Sequence, residues 1–368
     1  MHLYLHVPFC ARKCSYCDFA IAVRAVTPDT EYHAAIEREW AARLQHRQVT
    51  PGDVLATVYF GGGTPSRLEP ATLAAILARL TRECPLQPGA EVTLEANPDD
   101  VTDARAAAWA RMGVNRVSLG VQSHQPAVLE WMHRTHRAEQ VAPAVKALRG
   151  AGITNLSLDL IFALPPELPR DWQADLVRTL ALEPTHVSLY GLTVEPHTPL
   201  ARWAARGQVH EAPEERYAEE YLQAHEALAA AGLRHYEVSN YASPGQEARH
   251  NAAYWSGADY LGLGPSAHSF LAGERSWNTR EWVAYRDLVA RTGMPVAGTE
   301  RLTPEQHRLE RRYLGLRTLA GLPGGEVPAD VVAGWEREGW AHRAGERVVL
   351  TPAGWLRLDA LVTQLGQP

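Results

Sequence analysis

The sequence predicts an α/β fold, a partial (β/α)6 barrel followed by a smaller C-terminal α+β domain with a winged-helix-like order of elements. Six apolar or alternating runs carry the barrel, near 3–7, 54–60, 91–95, 115–121, 154–162 and 186–192. They are rich in Val, Leu and Ile and bounded by Gly, Pro, Asn or Asp. Helical patterns separate them at 28–47, 70–83, 103–112, 138–150 and 171–181, and a sixth at 214–231 follows the last run. Strands that alternate with helices argue for parallel βαβ units, and right-handed crossovers wind such units into a barrel or partial barrel.

Taken in order, Leu3-Tyr4-Leu5-His6-Val7 alternates and runs straight into the first cysteine. Val58-Tyr59-Phe60 stops at three glycines, Leu94-Glu95 at Ala96-Asn97-Pro98, and the fourth run at Gly120-Val121-Gln122. Leu158-Asp159-Leu160-Ile161-Phe162 is almost continuously apolar, as a strand buried on both faces should be. The pattern changes after about residue 232, so the barrel is assigned to 1–232. Segment 233–300, rich in Gly, Tyr, Trp and His, reads as an irregular connection. Segment 301–368 starts a new domain. There a helix is expected from Pro304 to Thr318, with Thr303 as N-cap and Pro304 in the first turn. A second helix over 328–338, a short strand at 346–350 and a last helix after Thr351-Pro352 complete it. The segment is not strongly basic, so this domain is read as packing rather than as a DNA reader.

Composition narrows the function classes. A net charge of −6 without a basic tract argues against nucleic acid as a partner. No apolar run reaches the roughly 20 residues of a membrane span, and the first residues do not read as a secretory signal. Peripheral membrane association stays open. Four cysteines in 368 residues do not make a disulfide framework, so reduced thiols and a cytoplasmic location are expected.

Cys10, Cys14 and Cys17 fall within eight residues at C-x3-C-x2-C spacing. A structural zinc site wants a fourth Cys or His close by, and His6, inside the strand, is poorly placed to supply it. Cys84 is distant, at a helix end before Pro85, and reads as a small buried hydrophobe. A redox pair needs only Cys14 and Cys17. The remaining option is a [4Fe-4S] cluster with three protein ligands and one free iron. The Gly61-Gly62-Gly63-Thr64-Pro65-Ser66 turn lets backbone approach a ligand. Glu95, Gln122 and Asp159 put polar groups on three successive strands near one rim, where barrels of this kind carry their sites.

This arrangement resembles the radical S-adenosylmethionine (SAM) superfamily. The resemblance implies that SAM chelates the fourth iron through its amino and carboxylate groups, and that an electron from the cluster cleaves it to a 5′-deoxyadenosyl radical. It also implies an electron donor such as a flavodoxin or ferredoxin. More narrowly, Tyr4-x-His6-x-Pro8-Phe9-Cys10, the GGGTPS run, LEANP, SLGVQS and LDLIFALP resemble, in order, the oxygen-independent coproporphyrinogen III oxidase family. Carried onto this chain, that resemblance implies cluster ligation by Cys10, Cys14 and Cys17. It implies SAM contacts at Tyr4, Tyr16, Gly62, Gly63, Thr64, Glu95, Gln122, Arg134 and Asp159. Arg134, in Met132-His133-Arg134-Thr135-His136, suits a carboxylate because its fork binds one bidentately.

Two departures separate this chain from the oxidases in that family. They resemble C-x3-C-x2-C-x-C, whereas Phe19 stands at the last position here. They also carry an N-terminal extension, whereas Tyr4 is the fourth residue of this sequence. Both features resemble the heme chaperone subgroup, HemW. His250-Asn251-Ala252-Ala253-Tyr254-Trp255 is similar to the HNxxYW signature of that subgroup, which implies heme bound at His250. The expected activity is therefore binding of a cluster, SAM and heme, with heme passed to an acceptor hemoprotein. The alternative is oxidative decarboxylation of coproporphyrinogen III to protoporphyrinogen IX.

Overall fold

A computed structural model describes residues 1–365. Six parallel strands lie side by side in chain order: β1 (His2–Val7), β2 (Leu55–Gly62), β3 (Leu86–Ala96), β4 (Arg116–Gln122), β5 (Asn155–Phe162) and β6 (His186–Gly191). The helices α1 (Asp29–Gln45), α2 (Pro70–Glu83), α3 (Asp103–Met112), α4 (Val141–Gly150) and α5 (Trp172–Leu180) join them, and α6 (Glu214–Ala230) follows β6. This is the alternation expected from the sequence, and the bounds differ by a few residues.

Alternation along each strand sorts the side chains. Leu3, Leu5, Val58, Phe60, Leu94, Val117, Leu119, Leu158, Leu160, Val187 and Leu189 are buried in one cluster with Ile36, Trp40, Leu73, Leu77, Trp109, Leu148 and Leu228 of the helices. The intervening positions are polar and mostly buried: Thr57, Thr93, Arg116, Ser118, Ser157, His186 and Ser188. Register places them in layers, with Tyr59 opposite Thr93, Thr93 opposite Arg116, Glu95 opposite Ser118 and Ser118 opposite Ser157. The inside of the barrel is thus a polar lining, and the main apolar core lies between strands and helices.

Segment 233–300 is regular rather than a plain connection. Two strands, β7 (Arg234–Glu237) and β8 (Asn240–Ala242), add to the β6 edge, with β8 antiparallel to β6. After helix α7 (Arg249–Ser256), strand β9 (Tyr260–Leu263) pairs parallel with β1 on its other side. Antiparallel strands β10 (His268–Leu271), β11 (Glu274–Asn278) and β12 (Val296–Arg301) continue outward from β9. The result is one sheet of 12 strands. Tertiary pairing with residues some 250 positions earlier overrides the weak local period of this segment.

Helix α8 (Pro304–Leu316) opens the C-terminal region, capped as expected by Thr303, whose hydroxyl accepts from the Gln306 amide while the Gln306 side chain accepts from the Thr303 amide. Helix α9 (Ala329–Arg337), the hairpin of β13 (Ala341–Ala344) and β14 (Arg347–Leu350), and α10 (Leu358–Gln364) follow. Leu316, Val332, Trp335, Val348, Leu350, Trp355 and Leu361 form a separate core there.

Candidate functional site

The C-terminal ends of β1 to β6 open on a cavity of about 440 Å³. Cys10, Cys14 and Cys17 line it from the loop after β1, together with Gly62, Gly63, Thr64, Glu95, Gln122, Arg134 and Asp159. Tyr16 lines it too, so eleven of the twelve SAM and cluster positions inferred from sequence meet here. Tyr4 itself faces an adjoining, larger cavity. Among the described residues, no group of three or more His, Cys, Asp or Glu is set around a point that would hold a single metal ion. The thiols are instead spread over one wall, which suits a cluster, whose thiolate ligands each take a different iron.

Local chemistry explains the shape of this wall. The glycine turn is obligatory: Gly62 has φ of 114°, in the region that favours glycine. A Cβ on Gly63 would lie 2.8 Å from the Pro8 carbonyl group and 3.0 Å from Cys10 Sγ. Gly63→Ala is therefore expected to push the cysteine loop outward at a cost of ~1–3 kcal/mol and to lower iron and sulfide loading with the circular dichroism spectrum unchanged. Loading equal to wild type would contradict this role. Thr64 Oγ1 donates to Cys10 Sγ at 3.4 Å. Burial pushes the Cys10 thiol up and the Cys17 thiol up to about 12, so both are protonated until a cation competes for the sulfur.

Glu95 is the buried carboxylate of the site. Its Oε1 accepts from Tyr59 Oη at 2.8 Å and its Oε2 from the Gly62 amide at 2.9 Å. Burial, only partly offset by these bonds, raises its pKa to about 7. Asp159 accepts from Ser118 Oγ at 2.8 Å and Ser157 Oγ at 2.8 Å, and burial raises its pKa as well. Arg134 Nη2 donates to Asn97 Oδ1 at 2.6 Å and to the Gly120 carbonyl at 2.9 Å, Nη1 lies 3.6 Å from Cys14 Sγ, and its buried Nε has no protein partner. Gln122 sits at a register shift in β4 with φ of 64°. A left-handed residue at a bulge, held at a strand end, marks a backbone shaped for a ligand. No sequence signal marks this strain; Asn97 and Ser118, which fall inside the LEANP and SLGVQS motifs without being singled out, and Tyr190, which has no motif, also line the cavity.

The second cavity holds about 920 Å³ and adjoins the first along Phe19, Gly62 and Glu95, which line both. Its walls come from Tyr4, Tyr254, Trp255, Tyr260, Phe270 and Leu314, with Arg275, Arg280 and Arg311 among them. Phe19 is 61% exposed. His250 lines neither cavity. It is buried, with Nδ1 2.6 Å from Thr57 Oγ1 and Nε2 2.8 Å from Tyr254 Oη, and burial pulls its pKa down to about 3. Glu91 caps the start of its helix through the Arg249 and His250 amides. Of the HNxxYW segment, the structure brings Tyr254 and Trp255 to a cavity wall and leaves His250 behind them.

Comparison with known proteins agrees with this geometry. The Radical SAM superfamily model matches residues 4–178. The chain is 39% identical to the heme chaperone HemW of Synechocystis sp. over 335 residues, 89% of this chain and 80% of that one. It is 35% identical to HemW of Bacillus subtilis, over 87% of this chain and 84% of the relative, and 35% identical to HemW of Escherichia coli, over 73% and 69%. Among solved structures, the coproporphyrinogen III oxidase HemN of Escherichia coli superimposes with a TM-score of 0.81 at 21% identity, covering 99% of this chain and 89% of HemN, a likeness of fold. Fold and site define a radical SAM protein. Within that superfamily the chain belongs to the HemW family.

Proposed function

We propose that this protein is a heme chaperone that carries a [4Fe-4S] cluster on Cys10, Cys14 and Cys17, SAM in the smaller cavity and heme in the larger one, and that it passes heme to an acceptor hemoprotein. The observation that carries this reading is the pair of adjoining cavities, one lined by thiols and charged groups, the other by aromatic side chains and arginines. Ligand pockets run to about 300–1,000 Å³, and the larger cavity lies near the top of that range. It is supported by the HemW relatives, whose names state heme chaperone.

The donor set suits the groups proposed. When bound, the cluster would supply one-electron chemistry to SAM, with an electron taken from a flavodoxin- or ferredoxin-type donor. The chain's own residues bind and orient. Glu95 and Asp159 offer carboxylates to the cationic parts of SAM, the Gly62–Thr64 backbone allows close approach, and the unpartnered Arg134 Nε faces an anionic group. Thr64 and Arg134 steady the sulfurs of Cys10 and Cys14. In the larger cavity Tyr254 and Trp255 offer faces to a flat macrocycle. His250 enters as the support that fixes the Tyr254 hydroxyl. No helix among the described residues is long and apolar enough to cross a membrane.

Anaerobic reconstitution tests this directly. The wild-type chain is expected to take up iron and sulfide and to develop a Soret band with added heme. The variant with Cys10, Cys14 and Cys17 all changed to Ala is expected to take up neither iron nor sulfide yet still give the band, because none of these cysteines lines the larger cavity. Zinc without sulfide, or no Soret band in the wild type, would sink the reading. SAM-dependent release of CO2 from coproporphyrinogen III would favour the decarboxylase instead.

A further inference from the structure

We propose that Arg280 is the carboxylate receptor of the larger cavity, that it binds a propionate of the tetrapyrrole, and that through Asp18 it ties occupancy of this cavity to the cysteine loop. The inference rests on the heme reading and sharpens it.

Three guanidinium groups stand on this cavity wall, and two are already engaged. Arg275 is ion-paired with Glu310, and Arg311 with Glu326 at 3.6 Å. Arg280 forms no ion pair among the described residues. Its Nη2 donates to the main-chain carbonyl of Asp18 at 2.6 Å, which leaves the rest of the planar fork for an incoming anion. The same cavity is lined by the aromatic side chains of Phe19, Tyr260 and Phe270. An apolar face with a single unengaged cation fits a flat apolar ligand that carries carboxylates at its edge.

The base of Arg280 is rigid. Two residues earlier, Asn278 at the end of β11 is buried, its amide nitrogen 2.8 Å from Glu39 Oε1 and its oxygen accepting from Arg43 Nη2 at 2.8 Å. The strand end two residues before the receptor is thus held by a buried network, while the Arg280 side chain itself is exposed at the cavity wall. Asp18, its partner, lies between Cys17, a thiol of the smaller cavity, and Phe19, which lines both cavities. One guanidinium therefore touches the cysteine loop and the site where a carboxylate would arrive. Asp18, Glu95 and Glu310 also line this cavity, with Glu310 held by Arg275.

The test uses the anaerobically reconstituted full chain and two probes, heme and heme dimethyl ester, whose ring is the same but whose carboxylates are masked. Soret titrations are expected to show wild type binding heme about tenfold more tightly than the ester. Arg280→Gln is expected to bind both probes alike, at the level of the ester on wild type, with an unchanged melting temperature. Wild-type affinities for the two probes within twofold of each other, or a variant that keeps the preference for the free acid, would overturn the proposal. Heme is also expected to change the electron paramagnetic resonance spectrum of the reduced cluster in wild type and not in Arg280→Gln, and an unchanged wild-type spectrum would overturn the link to the loop. No heme binding by wild type at all would instead bring down the heme reading on which the proposal rests.

Discussion

Glu95→Gln is expected to stabilise the ligand-free protein at pH 8 while weakening SAM binding by about 10–100-fold. The folded chain holds this carboxyl at about 7, against an ordinary value of 4.5, because it is buried. On raising the pH the unfolded chain ionises first, near 4.5, and the folded one only near 7, so stability falls across that window and is level above it. At 1.36 kcal/mol per pH unit the burden is about 3 kcal/mol. Glutamine keeps the shape, with Oε1 free to accept from the Gly62 amide and Nε2 to meet the Tyr59 hydroxyl, and carries no charge to desolvate. Thermal melts of wild type and variant at pH 5 and pH 8, beside SAM titrations, check both halves. Equal melting temperatures at pH 8 would show that the carboxylate is better solvated than its surroundings indicate, and undiminished SAM affinity would remove Glu95 from the binding site. The pattern expected is that of a functional group kept at a cost to the fold.

The second large effect lies away from both cavities. Glu39 on α1 is fully buried and accepts from four residues, Arg43 (Nη2 at 2.8 Å and Nε at 3.3 Å), Asn278 Nδ2 at 2.8 Å, the Gly264 amide at 2.9 Å and Tyr285 Oη at 2.6 Å. This network ties the first helix of the barrel to the segment after β9. Glu39→Ala strands a buried cation and three neutral donors and is expected to cost about 3–5 kcal/mol. Arg43→Ala leaves Glu39 with its other three donors and is expected to cost less. Denaturant titrations of the two variants decide the point. Equal losses would mean that the ion pair alone matters, and a loss below about 1 kcal/mol for Glu39→Ala, the scale of an exposed pair, would mean that water replaces the missing carboxylate.

How much of this could be read from the chain depended on sequence distance. Strands β1 to β6 and their helices were visible because each parallel pair is joined by one local crossover, and the outward faces carry Leu and Val at period two. The cysteine loop, the glycine turn, Glu95, Gln122, Arg134 and Asp159 were visible as motifs, and all of them line one cavity. Strand β9 was not, since four residues beside β1 are defined only by a partner far away in sequence. His250 shows the limit of a motif: its spacing to Tyr254 is one helical turn, and that turn lets the two side chains bond to each other instead of presenting the imidazole to a cavity. Arg280 has no motif at all, and its place follows from which neighbouring cations already have partners.

The pairing of β1 with β9 bears on how the protein is made. His2 lies opposite Tyr260 and Leu5 opposite Leu263, so one side of the strand that leads into the cysteines waits for residues that leave the ribosome much later. At about 5–20 residues per second, the stretch between them takes on the order of 10–50 s to synthesise. Throughout that time β1 has an open parallel edge, and the loop carrying Cys10, Cys14 and Cys17 lacks the Arg280 contact that braces Asp18. On the proposed reading, iron and sulfide would meet a finished wall only after translation has reached Arg280, in the last third of the chain. Loading of the proposed cluster would therefore follow synthesis of Arg280, and a nascent chain stalled before Tyr260 would present its thiols without β9 and without the Arg280 contact.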